Sequence, residues 1–186
     1  CQELDVPFKR VGELALIRNN EELGKFRKLK SKAEKLGLAG HQFIDQDTLR
    51  QMEPHITREA IAALYDPNIA IVDPVRLTIA LIENAGQNGV QVMRETEVLN
   101  IFQKGNQFEV ETNRGSIKCR FIVNSAGTSV EKIARLVNSD DFVLYPIRGY
   151  VGILDKNLGD LIKHEIHMRP DAPGQMNILT PSVHGN

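Results

Sequence analysis

Between Asp73 and Val137 the hydrophobic pattern changes several times in a fixed order, and that order restricts the fold more than any other feature of the chain. Asp73-Pro74 opens a helix, with Asp73 as N-cap and Pro74 as the first helical residue. Leu77, Ala80, Leu81, Asn84 and Ala85 recur on one face as far as about Asn88, and Gly89 stops the run. Residues 90–92 then read as a short strand. Residues 97–103, 107–112 and 116–119 read as strands separated by Lys104-Gly105-Asn106 and Asn113-Arg114-Gly115, which predicts a three-stranded antiparallel meander. Phe121-Ile122-Val123 is continuously apolar, the pattern of a buried parallel strand. It runs into Asn124-Ser125-Ala126-Gly127, after which Val130, Ile133, Ala134 and Val137 mark one face of a helix. Thr128 and Glu131 stand at capping-box spacing.

The flanks follow simpler rules. Residues 11–17 read as a strand. Asn19 or Asn20 caps a helix reaching Leu36, with Leu23, Phe26, Leu29, Ala33 and Leu36 as its apolar stripe. Glu21 and Glu22 occupy its first turn, lysines fill the rest, and Gly37 suits the left-handed position after its end. Lys25, Lys28, Lys32 and Lys35 are a solvated face. Residues 45–52 read as a short helix ending before Pro54, and residues 61–65, 147–154 and 177–179 as strands. Gly149 and Gly152 within the 147–154 run predict a bulge or a close backbone approach.

A net charge of −1 and a pI near 6.6 supply no concentrated basic face for nucleic acid or an anionic membrane. The two cysteines, Cys1 and Cys119, form no zinc or redox spacing, and a reducing cytosol is the simpler setting. No apolar run approaches the ~20 residues that span a bilayer. The opening CQELDV carries no initiator Met and the closing NILTPSVHGN stops in a strand-and-turn pattern, so an internal piece of a longer protein is expected.

A strand that feeds a helix through Ala126-Gly127 lets a ligand approach the backbone, and a phosphate or flavin would suit it. On that tetrapeptide alone a plain tight turn is the better reading. The order of elements tips the balance. Asp73-Pro74 through Ala85 to Gly89-Val90, then Thr96-Glu97-Val98, then Val123-Asn124-Ser125-Ala126-Gly127 resembles the second half of the FAD-binding domain in the D-amino-acid-oxidase superfamily. The opening segment to Ile17, Tyr145-Pro146-Ile147-Arg148-Gly149, and Leu179 through Asn186 narrow the resemblance to the FAD-dependent glycerol-3-phosphate dehydrogenase family and its L-2-hydroxyglutarate dehydrogenase neighbours. Tyr150 and Val151 stand where some relatives carry Glu and Tyr. The G-x-G-x-x-G segment, the acidic residue following it and the closing G-P-T segment have no counterpart in these residues.

That resemblance implies an α+β fold: a mixed, largely antiparallel substrate-domain sheet with helices, plus part of an FAD-binding domain made of the meander and a strand-AG-helix unit. Residues 1–72 and 138–186 would belong to the substrate domain and residues 73–137 to the FAD domain. It implies that Val98, Asn124, Ser125, Ala126 and Gly127 contact FAD, and that Arg148 and Arg169 anchor an anionic small-molecule substrate through bidentate guanidinium contacts. The plainer readings are a core strand residue for Val98 and surface ion pairs for each arginine. The implied reaction is oxidation of glycerol 3-phosphate by hydride transfer to FAD, with a 2-hydroxy acid such as L-2-hydroxyglutarate, or an amino acid, as the alternative substrate. A non-catalytic binding or scaffold domain is the alternative of another class. No residue suggests itself as catalytic base. No metal site is expected: His164 and His167 are three apart with no third ligand in view, and His184 reads as structural. Glu109 and Glu111 read as solvated. FAD is expected in the whole protein and only weakly, or not at all, with these residues alone. The expected location is cytoplasmic, with a peripheral contact to membrane or quinone open in the whole protein, and the oligomeric state is unread.

Overall fold

A computed structural model describes residues 1–139, 141–168 and 177–185. The chain forms two compact units, one from Cys1–Asn88 with Val151–Asn186 and one from Gly89–Tyr150. In chain order the elements are β1 (Phe8–Arg10), β2 (Glu13–Ile17), α1 (Asn20–Lys35), β3 (Gln42–Asp45), α2 (Gln46–Met52), β4 (Ala62–Asp66), β5 (Ala70–Val72) and α3 (Pro74–Gln87). Then come β6 (Val98–Lys104), β7 (Gln107–Thr112), β8 (Gly115–Cys119), α4 (Val130–Arg135), β9 (Glu165–Met168) and β10 (Asn177–Leu179). The architecture is mixed α and β with largely antiparallel sheets, as the sequence implied.

The first unit is built on a five-stranded sheet of order β10-β9-β2-β4-β3. Its one parallel pair joins β2 to β9, with Glu13 opposite Glu165, Leu14 opposite Ile166 and Ala15 opposite His167. Period-2 alternation sends Leu14, Leu16, Ala63 and Ile166 to one face, where Leu49 of α2 and Ala60 complete the buried core. β1 and β5 form a separate antiparallel ribbon.

Local chemistry sets the helix starts. The Asn19 side chain accepts the Glu22 N–H at 2.9 Å, and Asp45 accepts that of Thr48 at 2.8 Å. Asp73 accepts that of Arg76 at 2.9 Å with Pro74 at the first helical position, as expected. Gly37 follows α1 with φ +79°. Leu23, Phe26 and Ala33 of the α1 stripe are half-buried, whereas Leu29 and Leu36 are exposed. Glu22 is buried because its carboxylate turns back to accept the Arg18 N–H at 2.8 Å and to pair with the Arg18 guanidinium at 3.3 Å.

One buried carboxylate ties distant segments of this unit together. Glu53, 1% exposed, follows α2, and its Oε1 accepts the N–H groups of Lys163 and His164 at 2.8 Å each. The same oxygen lies 2.6 Å from His164 Nδ1. The His164 ring meets Tyr65 edge-on at a centroid distance of 5.7 Å.

The second unit is the meander β6-β7-β8 with α4. Gly105 and Gly115 adopt φ +61° and +113° at its two turns. Ile101, Val110 and Thr112 are buried within it, as is Ala134 of α4.

Several elements depart from expectation. Residues 121–123 form no strand; Phe121 is 82% and Val123 88% exposed, and no described residue pairs with them. A parallel strand gains its stability from neighbours on both edges and cover on both faces, and the run has neither. Residues 147–154 likewise form no strand: Gly149 and Gly152 remove packing anchors and Ile147 and Val151 stay exposed. Residues 90–92 are irregular too. The Thr128–Glu131 capping box does not form. Residues 127–129 make a 3-10 turn, α4 begins at Val130, and the Glu131 carboxylate accepts the Leu144 N–H at 2.8 Å instead. β1, β3, β5 and β9 had no expectation, being three or four residues each and held by partners distant in sequence.

Candidate functional site

In the second unit the end of the meander, residues 122–126 and α4 enclose a cavity of about 340 Å³. Val98 enters from the first residue of β6, where a bulge between Val98 and Asn100 interrupts the ladder with β7. Ile101, Val110, Ile122 and Ile133 line it, with Asn124, Ser125 and Ala126 along one wall and Lys132 and Glu97 among its polar groups. Lys132 Nζ pairs with Glu97 Oε1 at 3.2 Å.

Asn124 shapes that wall. Its Nδ2 donates to the Val130 carbonyl at 2.8 Å and its Oδ1 accepts the Ala126 N–H at 3.3 Å, so one amide side chain holds both sides of the turn. Gly127 comes next with φ +56°, and the space where a Cβ would stand has no atom within 4 Å. Thus four of the five residues expected at FAD, Val98, Asn124, Ser125 and Ala126, line one cavity, and Gly127 adjoins it without lining it. α4 has six residues, so its end contributes only a small dipole field.

The cavity fits part of a dinucleotide. Its walls are apolar and its edges polar, which suits a flat heteroaromatic ring. Its volume is at the lower end of the ~300–1,000 Å³ range of small-ligand sites, room for a segment of FAD rather than all of it.

Arg148 is not among the residues that line this cavity. Arg148 is exposed in the irregular run after α4, and Arg169 lies outside the described residues. In the first unit His184 Nε2 contacts Asp73 Oδ2 at 2.9 Å, linking the C-terminal segment to the start of α3. The Arg76 N–H, and then His184, hold the Asp73 carboxyl below its ordinary value. Glu109, read as solvated, is half-buried and pairs with Lys104, which lowers its pKa.

Sequence reasoning missed Glu13 and Glu165. They meet His167 on one face of the sheet: His167 Nε2 is 2.9 Å from Glu165 Oε1, and Nδ1 is 3.9 Å from Glu13 Oε1. Burial raises the Glu13 pKa, His167 opposes that, and Glu165 and Asp66 add to it. The Glu-x-His alternation at 165–167 was a usable sign that both share a face. The approach of Glu13 depends on a pairing far apart in the chain.

The model of the family described as DAO, FAD dependent oxidoreductase, matches residues 1–186. A glycerol 3-phosphate dehydrogenase of Caloramator mitchellensis is 35% identical over 186 residues, which is 100% of this chain and 39% of that protein. The solved, FAD-bound L-alpha-glycerophosphate oxidase of Mycoplasma pneumoniae is 26% identical with a TM-score of 0.75, covering 97% of this chain and 48% of that one. L-proline dehydrogenase from P. horikoshii shares the fold, with a TM-score of 0.79 at 23% identity over 99% of this chain and 49% of its own. The chain therefore spans half or less of the length of these proteins.

Proposed function

Because the chain belongs to the FAD dependent oxidoreductase family, we propose that the whole protein oxidises glycerol 3-phosphate and that residues 89–150 supply part of its FAD site. The observation that carries the substrate is the 35% identity, across every residue of this chain, to a glycerol 3-phosphate dehydrogenase. Bound FAD would accept the hydride from the carbon bearing the hydroxyl. The chain's own residues bind and orient. Val98 and the 124–126 wall would cover a face of the cofactor, Asn124 would keep the wall rigid, and the open approach at Gly127 would admit it closely. Arg148 and Arg169 would hold the phosphate, since a guanidinium meets phosphate oxygens two at a time.

The test is spectroscopic. The full-length protein should purify with a flavin spectrum and bleach anaerobically on addition of glycerol 3-phosphate. Bleaching by L-2-hydroxyglutarate alone would replace the substrate assignment. A colourless protein that takes up no added FAD would favour a binding or scaffold role.

A further inference from the structure

The first unit carries a cluster of ionisable groups of its own. Asp66 on β4, Glu13 on β2 and Glu165 on β9 share one row, because Glu13 lies opposite Asp66 in the antiparallel pair and opposite Glu165 in the parallel pair. Like charges placed opposite one another on neighbouring strands repel. None of the three carboxylates is ion-paired with Lys or Arg among the described residues. Their ionisable partners are imidazoles: His167 beside Glu13 and Glu165, and His41, whose Nε2 is 3.4 Å from Asp66 Oδ2. A row of three half-buried carboxylates with no Lys or Arg partner among the described residues is a place that a cation would stabilise.

The donors favour one kind of ion. Glu13, Glu165 and His167 each offer one ligand atom, and these atoms lie within 4.8 Å of one another. Ligands held at ~2.0–2.2 Å from one zinc ion stand ~3.3–3.6 Å apart in a tetrahedron, so the set closes once one carboxylate swings to the ring nitrogen that the other already faces. One imidazole with two carboxylates suits a borderline ion, whereas calcium and magnesium prefer oxygen donors throughout. His164, which with His167 makes the obvious pair in the sequence, is committed to Glu53. We propose that Glu13, Glu165 and His167 bind a divalent transition-metal ion, zinc by its donor set, which cross-links β2 to β9 and leaves a fourth position to water. The proposal does not depend on the substrate or on flavin chemistry.

The full-length protein, stripped with EDTA and returned to chelator-free buffer, is titrated calorimetrically with zinc chloride at neutral pH. One zinc per chain should bind at this cluster and raise the melting temperature. Glu13→Gln and His167→Gln should each weaken binding by at least about tenfold and abolish that rise, whereas His55→Gln, an exposed histidine outside the cluster, should change neither. A lack of zinc binding, or binding unchanged in both cluster variants, overturns the proposal. If a cluster variant loses its circular dichroism, the zinc K-edge spectrum of the wild type decides. One imidazole within an oxygen shell supports the site; sulphur or several imidazoles refute it.

Discussion

Tyr65 occupies the space that any side chain on Gly12 would need. A Cβ there would stand 2.6 Å from Tyr65 Cε2 and 2.9 Å from its hydroxyl, and Gly12 has φ +68°. The tyrosine cannot easily yield, since it packs on the core cluster and meets the His164 ring. Gly12→Ala should therefore cost about 1–3 kcal/mol in a urea titration, and an unchanged midpoint would show that the ring and the backbone both yield. Glu53 allows a second prediction. Truncation to Ala leaves the Lys163 and His164 N–H groups facing a buried space, so Glu53→Ala should lose about 2–3 kcal/mol. Glu53→Gln keeps a carbonyl acceptor and should lose less. Neither residue stood out in the sequence. A glycine before a strand and a glutamate before Pro54 are common, and their importance comes from atoms contributed by residues far along the chain.

At the scale of elements, the starts of helices were the most legible features. Asn19 and Asp73 cap the helices that follow, as read, and Asp45, read as the first residue of its helix, caps it, because the needed acceptor sits within three residues of the donor it satisfies. α4 was less legible. Glu131 had two possible partners, and the tertiary one, the Leu144 N–H, outcompeted the local capping box. The Arg76 N–H first, and then His184 beyond the helix, depress the Asp73 pKa in the folded state. A depressed carboxyl adds stability above its unfolded value near ~3.9, and that contribution is lost as pH falls through the lower folded value. Asp73→Asn should therefore melt lower than wild type at pH 6, and the gap should narrow toward pH 2. A gap independent of pH would mean that the cap, not the charge, is what matters.

For the molecule as a whole, the meander was readable from its turn residues because each strand pairs with its neighbour in sequence. The five-stranded sheet was not, since β2 pairs with β9 across the entire second unit. The same contrast holds for the candidate sites. Val98 and the 124–126 turn were legible as a motif, while the Glu13–Glu165–His167 cluster exists only once β2 and β9 are aligned. The cavity holds about 340 Å³, which accommodates part of FAD. Residues 1–186 alone should accordingly bind FAD far more weakly than the full-length protein, measured by flavin fluorescence; equal affinities would show that this unit supplies the main contacts.

The pairing of β2 with β9 also has a consequence in time. At roughly 5–20 residues per second of synthesis, β2 leaves the ribosome on the order of ten seconds before β9 exists to meet it. Through that interval the edge of β2 that β9 will cover offers unpaired N–H and C=O groups to any extended chain nearby. The nascent protein is thus most vulnerable to aggregation while its second unit is being made. Slowing translation beyond residue 89 should lengthen that exposure, and a holdase chaperone should bind the growing chain until the histidine-bearing strand arrives.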